Sequence, residues 1–182
     1  MNPDRIVIGL QSKDDESKIF QLYNHWSSKI IKTSQYSSEL SKLAANCFLA
    51  QRVSSINSFA MLCETYEADI TEIKACLGSD HRIGDKFLNS SVGFGGSCFQ
   101  KDILALVYLA EAKGLTEVAD YWLGVIKIND ERKKSFFRRI YRELNGNLRG
   151  KTLTIFGTAF KKETSDARES PAIDVCYYLL LE

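Results

Sequence analysis

The chain has 182 residues, 45% hydrophobic and 26% charged, and its 24 Lys and Arg against 23 Asp and Glu leave a net charge of +1. This is the composition of a folded globular protein with room for one good-sized domain and a piece of another. A balanced charge gives no support to nucleic-acid or membrane-surface binding by bulk electrostatics. No stretch is apolar for long enough to span a bilayer, and the opening residues do not read as a signal peptide.

Arg5 to Leu10 (RIVIGL) reads as a buried strand, Asp14 to Trp26 as an amphipathic helix, and Lys29 to Thr33 as a second strand. That β-α-β order implies parallel pairing. A long helix follows, from a Ser37/Ser38 cap region to about Tyr66, with no Gly or Pro inside it. Its broad apolar surface asks for a partner, in a neighbouring domain or another subunit. Asp69 to Leu77 reads as a short helix capped by Gly78. A glycine loop then leads to an apolar helix over Ile103 to Ala112, and Glu117 to about Asn145 holds one or two more helices, with Gly146 and Gly150 as stops. Lys151 to Gly157 (KTLTIFG) reads as a strand, and Ser170-Pro171 opens a final helix, with proline in the first turn. A lone β-α unit cannot cover an apolar strand on both faces. Both ends therefore read as pieces of larger α/β domains flanking a helical middle.

Five cysteines, Cys47, Cys63, Cys76, Cys98 and Cys176, form no CxxC pair, and His25 and His81 are isolated. Reduced thiols in a cytoplasmic protein fit this pattern, with no metal site. Cys47, Cys63, Cys76 and Cys176 read as small core residues. Cys98 differs. Gly93, Gly95 and Gly96 deliver it to the start of a helix, where unpaired N–H groups favour thiolate over thiol. Lys101 and Asp102 follow at i+3 and i+4. The plainer alternative is a tight turn with a buried thiol, and Phe94 and Phe99 fit either version.

Three further clusters accompany the loop. Lys42 and Asn46 share a helix face and suit hydrogen bonding to a substrate or an oxyanion; a lysine lying along the helix surface is the simpler alternative. Arg82, in a polar loop with Phe87, suits a phosphate or sugar, or is an ordinary surface arginine. Phe160 and Lys161, with Arg168, follow the last strand, where ligands of α/β sheets gather; a charged loop is the alternative. The basic run Arg132-Lys133-Lys134 with Arg138-Arg139 reads as a solvated helix face.

At these residues the strings SELSKLAAN, FLAQRVSSINS, RIGDKFL, SVGFGGSCFQKD and FGTAFKKETSDARES resemble the UDP-glucose 6-dehydrogenases of animals and plants, within the UDP-glucose/GDP-mannose dehydrogenase family. The resemblance implies a mainly α chain: residues 1–36 closing an NAD-binding Rossmann domain, 37–148 a helical central dimerisation domain, and 149–182 opening a UDP-sugar-binding domain. It implies that Cys98 is the nucleophile, Lys42 and Asn46 stabilise oxyanions, and Asp102 serves water activation. Arg82, Phe87, Phe94, Gly95, Phe99, Phe160 and Lys161 then match substrate positions, and Lys101 and Arg168 cofactor positions. The implied reaction is an NAD-dependent, two-step oxidation of UDP-glucose to UDP-glucuronate. The implied assembly is a homodimer through the long helix, with higher assembly open.

Departures accompany the match. The chain holds no GxGxxG, the family's catalytic glutamate would precede the NPDR segment, and Asn89 stands where many relatives carry a lysine. The segment alone is therefore expected to dimerise without turning over UDP-glucose. A sister enzyme for GDP-mannose or a UDP-N-acetylhexosamine, or a purely structural dimerisation module, are the alternative expectations.

Overall fold

The computed structural model describes residues 3–12, 16–26 and 29–182. Its contacts divide the chain into two units, residues 1–45 and 46–182, which are taken in turn.

In the first unit, β1 (Arg5–Leu10) and β2 (Lys29–Ser34) form a parallel pair, with Arg5 opposite Lys29 and Leu10 opposite Ser34. Parallel strands need a crossover, and α1 (Glu16–Tyr23) supplies it. The helix is shorter than its apolar spacing suggests: Asn24 and Trp26 are already in a turn after Tyr23, and the expected start at Asp14 lies outside the described residues. Ile8 is the buried residue of β1, and Lys32 of β2 reaches Glu16 and the ring of Phe20.

Helix α2 (Gln35–Tyr66) runs for 32 residues, starting in the first unit and continuing through the second. It starts earlier than the Ser37/Ser38 region because Ser34 Oγ accepts from the Ser37 N–H at 3.2 Å, so the cap lies at the end of β2. Helix α3 (Ile70–Ser79) is capped by Asp69, whose carboxylate accepts from the Thr71 N–H at 2.7 Å. Gly78 does not stop it. It lies inside the helix, where an added Cβ would stand 3.2 Å from Asp85, so its smallness serves packing.

Helix α4 (Phe99–Glu111) begins four residues before the apolar run, directly after Cys98. Helix α5 (Thr116–Glu143) is one continuous element, closed by left-handed Asn145 and Gly146, with the Gly146 N–H returning to the Tyr141 carbonyl at 2.9 Å. Helix α6 (Pro171–Leu180) starts at proline as expected. The core of the second unit lies among α2, α4 and α5, where Cys47, Ala50, Ile103, Val107, Ala110, Ala119 and Val125 close on one another. Phe94, from the glycine loop, is part of the same cluster.

Two expectations change here. Residues 151–157 are not a strand: no neighbour offers a ladder among the described residues, and Phe156 is 96% exposed. Cys76 is exposed, while Cys47 and Cys63 are core residues and Cys176 is half-buried. No described helix is long and apolar enough to cross a membrane.

Candidate active site

The glycine loop carries little regular structure, so its backbone groups need partners from elsewhere. Two buried asparagines supply them. Asn129 of α5 accepts from the Phe94 N–H at 2.8 Å and donates to the Phe94 carbonyl at 3.1 Å. Asn57 of α2 accepts from the Ser91 N–H at 2.7 Å, and Arg132 of α5 donates to the Ser91 carbonyl at 3.0 Å. Both asparagines are fully buried. The other side of the loop meets the segment before α6: the Gly96 N–H donates to the Arg168 carbonyl at 2.9 Å. A Cβ on Gly95 would lie 2.1 Å from the Glu169 carbonyl oxygen, so no side chain fits there. Gly96, at φ +84°, takes a backbone conformation that other residues resist.

This clamped loop hands Cys98 to α4 as its N-cap residue. The Cys98 carbonyl accepts from the Asp102 N–H at 3.0 Å, and Sγ lies 3.8 Å from Ser97 Oγ. The thiol is exposed and lines a cleft of about 430 Å³ with Leu49, Phe87, Phe94, Phe99, Phe160 and Lys161. The Phe94 and Phe99 rings meet edge to face, 5.7 Å apart. Phe87 holds φ +61°, an uncommon conformation for so bulky a residue. Its loop is tied to α2 by Arg52, which donates to the Ile83 and Gly84 carbonyls at 3.0 and 2.8 Å.

One turn into α4, Asp102 is 1% exposed. It accepts from Asn46 Nδ2 at 2.6 Å and from Lys101 Nζ at 2.6 Å, so both carboxylate oxygens are engaged. The Asp102 hydrogen bond, then its charge, holds the Lys101 ammonium above its ordinary range, and Cys98 adds a small share. Arg168 is likewise raised by its bond to Asp166, with Cys98 again a minor contributor. The same pair, through the Arg168 side chain and then its backbone N–H, pushes the Asp166 carboxyl down from 3.8 to about 2.

The structure thus brings Cys98, Phe87, Phe94, Gly95, Phe99, Phe160 and Lys161 to one cleft, with Asn46, Lys101 and Asp102 joined one helical turn away. Arg82 is not brought in. Its guanidinium forks onto Asp80, with Nη2 to Oδ2 at 2.7 Å, and its side chain is 78% exposed. Lys42 belongs to the first unit, on the opening turns of α2. Leu49, Asn57 and Asn129 were missed from the sequence. Arg132 and Lys133 correct the reading of their run as a solvated face: they are 8% and 3% exposed, because they follow Asn129 at i+3 and i+4 on the buried side of α5.

Fold and site together define a helical domain that presents a loop-clamped cysteine at a helix start, beside a buried carboxylate. The UDP-glucose/GDP-mannose dehydrogenase family, central domain, matches residues 36–131, and the chain belongs to that family. It is 54% identical over 185 residues to UDP-glucose 6-dehydrogenase 2 of Arabidopsis thaliana, covering 98% of this chain and 38% of that protein. UDP-glucose 6-dehydrogenase 3 of Oryza sativa subsp. japonica is 53% identical over 184 residues, with the same coverage. Among solved structures, a UDP-glucose dehydrogenase from the hyperthermophilic archaeon Pyrobaculum islandicum superposes with a TM-score of 0.91 at 32% identity, over 99% of this chain and 41% of that one. The chain therefore spans under half the length of these relatives.

Replacing Asn129 by Ala strips partners from the buried Phe94 N–H and carbonyl, at about 1–3 kcal/mol for each group. Urea unfolding should show that loss, and amide exchange should accelerate at Phe94, whose N–H bonds Asn129; unchanged exchange there would reject the anchor. For Asp166, a folded pKa of about 2 below an ordinary 3.8 means that the pair's stabilisation is present above pH 3.8 and lost as pH falls toward 2. Carbon-detected NMR titration should place the Asp166 midpoint near 2, and Arg168→Gln should return it toward 3.8.

Proposed function

We propose that this chain supplies the covalent centre of a UDP-glucose 6-dehydrogenase, which oxidises the C6 alcohol of UDP-glucose twice to give UDP-glucuronate. The observation that carries the reading is Cys98 at the N-cap of α4, opening into an aromatic-lined cleft one turn from the pinned Asp102. The first oxidation gives an aldehyde. Cys98 Sγ attacks its carbon: a C–S bond forms, the carbonyl π pair moves to oxygen, and a proton there completes a thiohemiacetal. Loss of a hydride from carbon and a proton from the hydroxyl leaves a thioester. Water attacks this carbon, the C–S bond breaks, the thiolate leaves, and the carboxylate is released. Covalent capture keeps the aldehyde in place between the two oxidations.

NAD is the acceptor this reading implies, taking up the hydride in each oxidation when bound. Lys101 and Arg168 suit its anionic portions. In this reading Asn46 and Lys42 stabilise negative charge on the reacting oxygen, and Asp102, fixed by Asn46 and Lys101, orients water and accepts its proton. Phe87, Phe94, Gly95, Phe99, Phe160 and Lys161 contact the nucleotide sugar. Arg82 joins them only by leaving Asp80. The free thiols support a cytoplasmic setting.

In the longer protein that carries this segment with a dinucleotide-binding domain, Cys98→Ala should lower NADH formation from UDP-glucose by about 10³-fold or more. Full activity in that variant would overturn the assignment, and faster turnover of GDP-mannose or UDP-N-acetylmannosamine would move it to a sister enzyme.

The same domain also reads as a dimerisation module. Phe48, Phe59, Leu62 and Tyr66 of α2 are 62%, 44%, 52% and 78% exposed, a row of large apolar side chains on one helix. A two-fold pairing through α2 would cover them. Sedimentation at micromolar concentration should give a dimer that Phe59→Glu with Leu62→Glu converts to monomer; a wild-type monomer would reject the pairing.

A further inference from the structure

The middle of α5 carries three buried polar residues on one face: Asn129 at 0%, Arg132 at 8% and Lys133 at 3% exposure. Asn129 and Arg132 hold the glycine loop. Lys133 makes no hydrogen bond to the loop. Its ammonium pairs with Asp174 of α6 at 2.8 Å and with Asp130 of its own helix at 3.3 Å. A buried lysine is a poor source of stability, because its desolvation opposes its ion pairs. What such a group fixes is geometry. Here burial pulls the Lys133 ammonium down, but the hydrogen bond and charge of Asp174, with Asp130 behind them, outweigh it and leave it raised.

The geometry in question is that of the cysteine loop. The Lys133 stem passes beside Gly93, whose added Cβ would meet Lys133 Cγ at 3.5 Å. Its ammonium holds the first turn of α6, where Asp174 is also bonded through its N–H to the Ser170 carbonyl at 3.2 Å. Just ahead of that turn, the Glu169 carbonyl and Pro171 Cδ stand where a Gly95 side chain would begin, and the Arg168 carbonyl holds the Gly96 N–H. Lys133 therefore runs its stem past the start of the loop, where a larger residue at Gly93 would meet it, and, through α6, sets what presses on its end. Two residues after Gly96 stands Cys98.

We propose that Lys133 is a positioning residue that couples the seating of α6 to the geometry of the Cys98 loop. If α6 shifts on α5, the Gly95–Glu169 contact opens and the thiol moves with it. The partners permit a clean test. Asp174 and Asp130 are 36% and 46% exposed, so they stay solvated when the lysine is lost, and Lys133→Met keeps most of the packed stem. The importance of this coupling for turnover rests on the reading of Cys98 as nucleophile; the coupling itself does not.

The test uses the 182-residue chain as wild type, Lys133→Met, Asp174→Asn, the double variant and Lys133→Arg. The iodoacetamide rate at Cys98 is read by peptide mass spectrometry, with the exposed Cys76 on α3 as internal control and amide exchange followed over residues 93–97. Lys133→Met and Asp174→Asn should each change the Cys98 rate by about threefold or more, and the double variant should add little, as expected for residues on one path. Exchange should rise over residues 93–97, Cys76 should keep its rate, and Lys133→Arg should restore Cys98. An unchanged Cys98 rate, or parallel changes at Cys76, would overturn the proposal. Should Lys133→Met fail to fold, Asp174→Asn decides alone, since it keeps the Lys133–Asp130 pair. Full activity of Cys98→Ala in the longer protein would sink the functional reading while leaving this result standing.

Discussion

The second unit depends on one two-way hydrogen bond: the Asn129 side chain holding both backbone groups of Phe94. An amide side chain offers a donor and an acceptor side by side, as a neighbouring strand would. The loop thus gets the equivalent of one rung of a sheet without a sheet. Phe94 can then drop its ring into the core while its backbone stays fully bonded. With Asn57 and Arg132 holding Ser91, the loop is anchored from two helices that are themselves long and rigid. Leaving such buried groups unpaired would cost more than any single contact in the loop returns.

Much of this was legible in the sequence, for reasons that can be traced. The unbroken run free of Gly and Pro marked α2, Gly146 marked the end of α5, Ser-Pro marked the start of α6, and the spacing of Gly93, Gly95 and Gly96 marked the loop that delivers Cys98. The aromatic and lysine positions Phe87, Phe94, Phe99, Phe160 and Lys161 were named from the resemblance, and they line one cleft. Other features were hidden. The first turn of α4 is Phe-Gln-Lys-Asp, so apolar periodicity begins only at Ile103, although the helix begins as soon as the glycines end. KTLTIFG has strand composition, but a strand exists only with a neighbour. The Arg132-Lys133 run misled because charge alone says nothing about which side of a helix is covered. Counting from Asn129 in steps of three and four would have found it.

Charge is arranged around the site in pairs. Asp102 is engaged by Asn46 and Lys101, Asp166 by Arg168, and Asp80 by Arg82. Asp166 and Asp80 each bond the side chain and the backbone N–H of an arginine two residues on, a local chelate that stiffens its turn. Only the Asp102 group is buried, so it alone acts largely unscreened by solvent.

Placing Cys98 at the N-cap has a further consequence. Its carbonyl is already committed to the Asp102 N–H, and the loop before it is fastened on both sides. The sulfur is left with a single degree of freedom, rotation about χ1 among three staggered wells. Settling into one of three equal wells costs only about RT ln 3, or ~0.6 kcal/mol. The thiol can thus change rotamer at little cost while the backbone that carries it stays still.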